Sequence, residues 1–140
     1  MGAEYPLLIT LNSGITFDSR EEGLIVITWP ETTVSEEGIR EYGQQLDLVF
    51  ARGEFFRCVI DLSHSALAGA HQRSMIGTWA EDNKEVVRKH LKCTYYVSSS
   101  LIVRLAVRTF SVALGTDKIL GPVRTFSTLE EAVLAARLIP

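Results

Sequence analysis

Only two cysteines occur in this chain of 140 residues, Cys58 and Cys93, and both lie inside apolar runs. Buried, reduced thiols are the expected state, which fits a reducing cytoplasm. The three histidines, His64, His71 and His90, match no zinc spacing, and neither cysteine belongs to a Cys-x-x-Cys pair, so no metal is expected. No apolar run is long enough for a membrane span: the longest, Leu101 to Leu114, carries Arg104 and Arg108. Met1 to Leu11 has no basic region and no small-residue cleavage site, so no signal peptide is expected, and Pro6 stands where myristoylation prefers Ser or Thr. Ala68-Gly69-Ala70 has one glycine and no phosphate-loop pattern. A basic run with interleaved aromatics is missing too, which argues against nucleic acid.

What the chain does have is the run Phe55-Phe56-Arg57-Cys58-Val59-Ile60-Asp61, followed by Leu62-Ser63-His64-Ser65 and then a helical pattern. Such a run reads as a strand buried on both faces of a parallel sheet. Open α/β sheets usually meet ligands and partners at the carboxyl edge of such strands. Ile15–Phe17 and Leu24–Trp29 read as strands joined by a polar loop that ends in Gly23, and Pro30 closes the second. Ser35 caps a helix whose buried stripe is Ile39, Tyr42, Leu46, Val49 and Phe50, and Gly53 stops it. A single helix is expected from about His71 to His90, with Asn83 unusually placed on its apolar stripe. Lys92–Val97 reads as a strand, Leu101–Leu114 as a helix closed by Gly115, and Val123–Phe126 as a last short strand. Thr128-Leu129-Glu130-Glu131 is a capping box opening a helix to about Leu138.

The order is therefore β-β-α-β-α-β-α-β-α. It implies one α/β domain over residues 1–140, with an ordered core of about 15–138. Its mixed sheet is expected to hold four to five strands with about four helices. Net charge is −3. Residues 1–62 hold eleven acids and four bases, net −7, and residues 63–140 hold six acids and ten bases, net +4. Such asymmetry suggests complementary surfaces for a partner or a second copy.

Asp61, Ser63, His64 and Ser65 supply the residue types of nucleophilic catalysis, but residues so close in sequence do not form a Ser-His-Asp relay, and no Gly-x-Ser-x-Gly elbow surrounds either serine. The plainer reading is an Asp and hydroxyls that satisfy loop backbone. Arg104 and Arg108 share a face with Ser111 on a helix that is otherwise apolar nearly all round. A helix of that kind is buried on more than one side, and a sheet covers one. A protein interface is expected to cover the other, most simply that of a homodimer, with the arginines at its rim against acids of the N-terminal half.

Three stretches carry a family resemblance: Val59-Ile60-Asp61-Leu62-Ser63 at a strand end, Trp79-Ala80-Glu81-Asp82-Asn83, and the tail Val123-Arg124-Thr125-Phe126-Ser127-Thr128-Leu129-Glu130-Glu131-Ala132. With the serine-rich start of the Leu101 helix, the chain resembles the STAS-like superfamily, and within it the SpoIIAA-like domains related to anti-sigma factor antagonists. That resemblance implies a bacterial cytoplasmic module for protein binding and signalling, with no enzymatic activity and no cofactor. In true antagonists a serine in an Asp-Ser-Ser-Gly-like turn, at the start of the second helix, is phosphorylated to release the partner. Here the neighbourhood reads Ala66-Leu67-Ala68-Gly69-Ala70-His71-Gln72. The acceptor position falls at about Ala70, so no switch is expected there. Ser63, Ser65 and Ser74 are the nearest hydroxyls, with Ser63 and Ser65 the candidates for modification. The superfamily's relation to Sec14-like lipid-binding folds implies an alternative, a small apolar ligand near the Leu101 helix. A third reading is a hydrolase using Ser63 or Ser65.

Overall fold

The computed structural model describes residues 6–65, 69–115, 117–120 and 123–140. Met1–Tyr5, part of the stretch read for a leader, and Ala66–Ala68, part of the phospho-acceptor neighbourhood, lie outside the described residues.

The elements are β1 (Leu8–Thr10), β2 (Thr16–Asp18), β3 (Leu24–Thr28), α1 (Glu36–Ala51), β4 (Phe56–Asp61), α2 (Ala70–Asp82), α3 (Lys84–His90), β5 (Leu91–Val97), α4 (Leu101–Ala113), α5 (Asp117–Leu120), β6 (Arg124–Phe126) and α6 (Leu129–Arg137). The six strands form one sheet in the order β1-β2-β3-β4-β5-β6. The first three pair antiparallel and the last four parallel, with Val59 of β4 opposite Val26 and Tyr95. The mixed α/β class is as expected, but the expected four to five strands and about four helices become six of each among the described residues.

Three local features account for the difference. β1 is a three-residue edge strand with Leu8 half exposed, too short to show a pattern. The turn that returns it to β2 closes through Leu11 N–H to Ile15 O at 2.8 Å, and Gly14 takes φ +96°, a conformation that only glycine adopts freely. The helix expected from His71 to His90 breaks at Asn83, whose φ of −116° and ψ of 15° are not helical. Its side-chain Nδ2 donates to Trp79 O at 2.8 Å, the carbonyl that its own backbone N–H also uses. This local competition with the helix ladder is what Asn side chains offer. α5 is a single turn that puts Ile119 into the core.

Both faces of the sheet are covered. The crossovers from β3 to β6 each advance one place in the same direction, so right-handed connections put α1, α2, α3 and α4 on one face. Ile25, Ile27, Phe56, Cys58 and Ile60 point to that face and pack with Ile39, Tyr42, Phe50 and Val87. The opposite face, with Leu24, Val59, Cys93, Tyr95 and Val97, is covered by α6. Ala132 and Ala136 are fully buried there, and their small side chains let the helix lie close. Arg57 crosses beneath α6 and donates its guanidinium to Ile139 O, from Nε at 2.7 Å and from Nη2.

Capping follows the sequence. Ser35 Oγ accepts from Gly38 N–H at 3.1 Å and Ser100 Oγ from Val103 N–H at 3.3 Å. Thr128 Oγ1 accepts from Glu131 N–H at 3.2 Å, while the Glu131 carboxylate accepts from Ser127 Oγ rather than closing the box. Gly115 ends α4 with φ +73°.

Candidate functional site

Three regions meet where α1, α2 and α4 begin: the loop after β4, the space under the helices, and the outer surface of α4. The loop is settled by Asp61. Its carboxylate is buried, and Oδ1 accepts from Ser63 N–H at 2.9 Å and from Ser63 Oγ. The Ser63 hydroxyl is thus donated directly to the carboxylate, and no hydrogen bond among the described residues joins His64 to Ser63 or Ser65. His64 is exposed, and Ser65 N–H closes the turn onto Leu62 O at 3.2 Å. Asp61 and Ser63 come together as a self-satisfied turn, without the geometry of a nucleophile and base. Among the described residues no three His, Cys, Asp or Glu side chains cluster as metal ligands would.

Arg104 and Arg108 do not act as a pair. Arg104 is half-buried and donates to Ser98 O at 2.7 Å, at the end of β5. Arg108 is exposed and reaches Thr125 Oγ1 on β6 at 3.4 Å. Ser111, expected to complete an exposed face with them, is buried. The face that points outward is instead the apolar one: Leu101 is 60% exposed, Ile102 77%, Leu105 52% and Val112 68%. Val107 and Ser111 are the buried residues of α4, and the rotation that turns them inward turns these four residues to solvent.

The third region was anticipated only through the resemblance, as room for a small apolar ligand near the Leu101 helix, and its lining was not read from the residues. A cavity of about 190 Å³ lies between the sheet and α1, α2, α3 and α4. Its walls are aromatic and aliphatic, with Trp29, Phe50, Phe56, Trp79, Tyr96 and Phe110 among them. Arg73 stands in the wall with its guanidinium 3.8 Å from the centre of the Phe110 ring.

Four hydroxyls line the cavity without a hydrogen bond among the described residues, those of Ser65, Thr94, Tyr42 and Tyr96. Thr94 is 6% exposed and its Oγ1 has no partner. Tyr42 is equally buried, Tyr96 is partly covered, and neither hydroxyl bonds a described residue. Burial pushes both phenols above their ordinary value of 10.0, and the neighbouring Cys58 adds to each rise. Burial likewise pushes the Cys58 thiol up from 9.0, with a smaller contribution from Cys93. Cys93 faces the opposite side of the sheet: it pairs with Arg57, while Cys58 pairs with Thr94. Both thiols are buried and free. A lone Thr inside a strand covered on both faces was the one sequence signal of this site.

No family model matches the sequence, and a search of curated proteins finds no match. Solved structures do match. An uncharacterised protein of the DUF3478 family with a SpoIIAA-like fold, from Shewanella loihica PV-4, aligns at TM-score 0.65 over 96% of this chain and 99% of its own, with 12% identity. An anti-sigma factor antagonist from Mycobacterium paratuberculosis aligns at TM-score 0.56 over 92% of this chain and 99% of its own, with 19% identity. The chain therefore has a SpoIIAA-like fold. No helix among the described residues is long and apolar enough to cross a membrane.

Proposed function

We propose that this SpoIIAA-like domain is a non-enzymatic protein-interaction module whose docking surface is the outward face of α4 with the neighbouring Asp61–Ser65 loop. The observation that carries this reading is the exposed row Leu101, Ile102, Leu105 and Val112. Four large apolar side chains left wet in one patch are characteristic of a surface that is covered in use. The anti-sigma factor antagonist among the structural neighbours supports a protein as the partner. The simplest occupant is a second copy of the chain, in bacterial cytoplasm.

Phosphorylation at the antagonist position has no acceptor, since Ala70 opens α2 and carries no hydroxyl. Ser63 spends its hydroxyl on Asp61, and a phosphate there would stand against that carboxylate. Sedimentation equilibrium of the full chain tests the main reading. Self-association that Leu105→Asp abolishes, with an unchanged melting temperature, supports it. A monomer at every concentration, with no partner captured through α4, removes it.

A second reading is favoured by the cavity: the domain binds a small apolar ligand under its helices. The aromatic and aliphatic lining supports it.

A further inference from the structure

Resting on that ligand reading, we propose that the cavity takes a small, neutral aromatic molecule, of phenol to indole size, whose one hydrogen-bonding group is met by the hydroxyls of Tyr96, Tyr42 and Thr94. Size comes first. An engineered hydrocarbon-lined cavity of about 150 Å³ stays dry and admits benzene. The 190 Å³ here suits an occupant slightly larger than benzene and falls below the roughly 300 Å³ where sites for drug-sized ligands begin.

Shape and charge narrow the class. The ring edges and faces of Phe50, Phe56, Trp79 and Phe110 offer the offset and edge-to-face contacts that another ring prefers. Among the described residues the only charged side chain in the wall is Arg73, and it is already engaged with Phe110 and a further partner. An anionic ligand would have to draw on this one guanidinium, already engaged, to repay its desolvation, whereas a neutral ring needs no such compensation.

Polarity then selects within the class. Buried hydroxyls are almost always hydrogen-bonded, so the buried Thr94 Oγ1 without a partner, in a wall shared with the phenols of Tyr42 and Tyr96, is an exception that asks for an occupant. A hydroxyl both donates and accepts, so a phenolic O–H or an indole N–H is matched equally well. Water could fill the same role, and the apolar remainder of the walls is what distinguishes an organic ring from a water cluster.

Titration calorimetry of the full chain with phenol and with toluene tests this. The two probes have similar shape and differ in the hydroxyl. Phenol is expected to bind, and Tyr96→Phe or Thr94→Val to weaken it three- to tenfold, the usual worth of one hydrogen bond. Toluene affinity should be unchanged or higher in both variants. Val107→Phe, which fills the space from α4, should abolish both probes, with circular dichroism confirming the fold. Should that variant not fold, the phenol-to-toluene ratio in Tyr96→Phe and Thr94→Val decides alone. If toluene binds but the phenol affinity ignores all three hydroxyls, including in Tyr42→Phe, the polar match is wrong while the ligand reading stands. Persistence of either probe in folded Val107→Phe means a different site, and overturns the assignment. If neither probe binds the native chain, the ligand reading falls with it.

Discussion

Cys58 and Cys93 illustrate what a single strand position determines. They lie on adjacent strands, yet pairing of Cys58 with Thr94 and of Cys93 with Arg57 sends their side chains to opposite faces. A disulfide between them is excluded by that alternation, although both were correctly read as buried from the apolar runs around them. Burial keeps each thiol protonated and inert. Labelling by a bulky thiol reagent at neutral pH is expected to follow global unfolding, reaching both cysteines only in denaturant. The same burial sets an alkaline limit on stability. Below about pH 9 Cys58, Tyr42 and Tyr96 are protonated in both folded and unfolded chains and contribute no slope. As pH rises through the ordinary values of 9.0 and 10.0, the unfolded chain loses protons that the folded chain keeps. The folded state then binds more protons, so stability falls with pH. Urea midpoints are expected to be flat across this range until about pH 9 and to drop steadily above it.

Elements with long periodic stretches were readable from the sequence. α1 with its Ser35 cap, the β2–β3 hairpin, β4 as a doubly covered strand and α6 with its Thr128 cap all lie where their residues put them. β1 and α5 were missed because three or four residues carry no period to detect. The break at Asn83 was signalled by a polar residue on an apolar stripe, but the stripe continues through Val86 and Val87, so periodicity alone reads across it. α4 was legible in its apolar circumference and not in its rotation: the row left outward depends on which side the sheet edge accepts. The size and lining of the cavity were illegible from the residues for a related reason. Alternation tells which side chains face inward, and says nothing of whether they meet. The cap of α4 offers an element-level check. Ser100→Ala removes the acceptor for Val103 N–H and is expected to cost about 1 kcal/mol in denaturant unfolding.

Over the whole molecule, strand order turns a sequence asymmetry into a spatial one. Because the strands lie in chain order, the acidic first 62 residues form the β1–β4 side with α1, and the basic remainder forms the β5–β6 side with α4. The expectation that Arg108 meets acids of the N-terminal half across a homodimer must therefore be revised for a two-fold contact through α4. Such a contact sets each copy's basic side beside the other. Self-association through α4 is then expected to strengthen as salt screens that repulsion, and sedimentation at low and high ionic strength measures it. Weakening with salt would instead indicate an acidic partner.

The unbroken order of the strands has one more consequence. Doubly wound sheets reverse their direction of growth partway, and the helices that diverge at that reversal open a crevice above the strand tips in which ligands lodge. This sheet grows from β1 to β6 without reversing, so its helices stand side by side and leave no such cleft. The room for a small molecule lies instead between the helices and the sheet. α4, which ends the row and turns Val107 and Ser111 into the wall, is then the helix whose position sets how much of an occupant is covered.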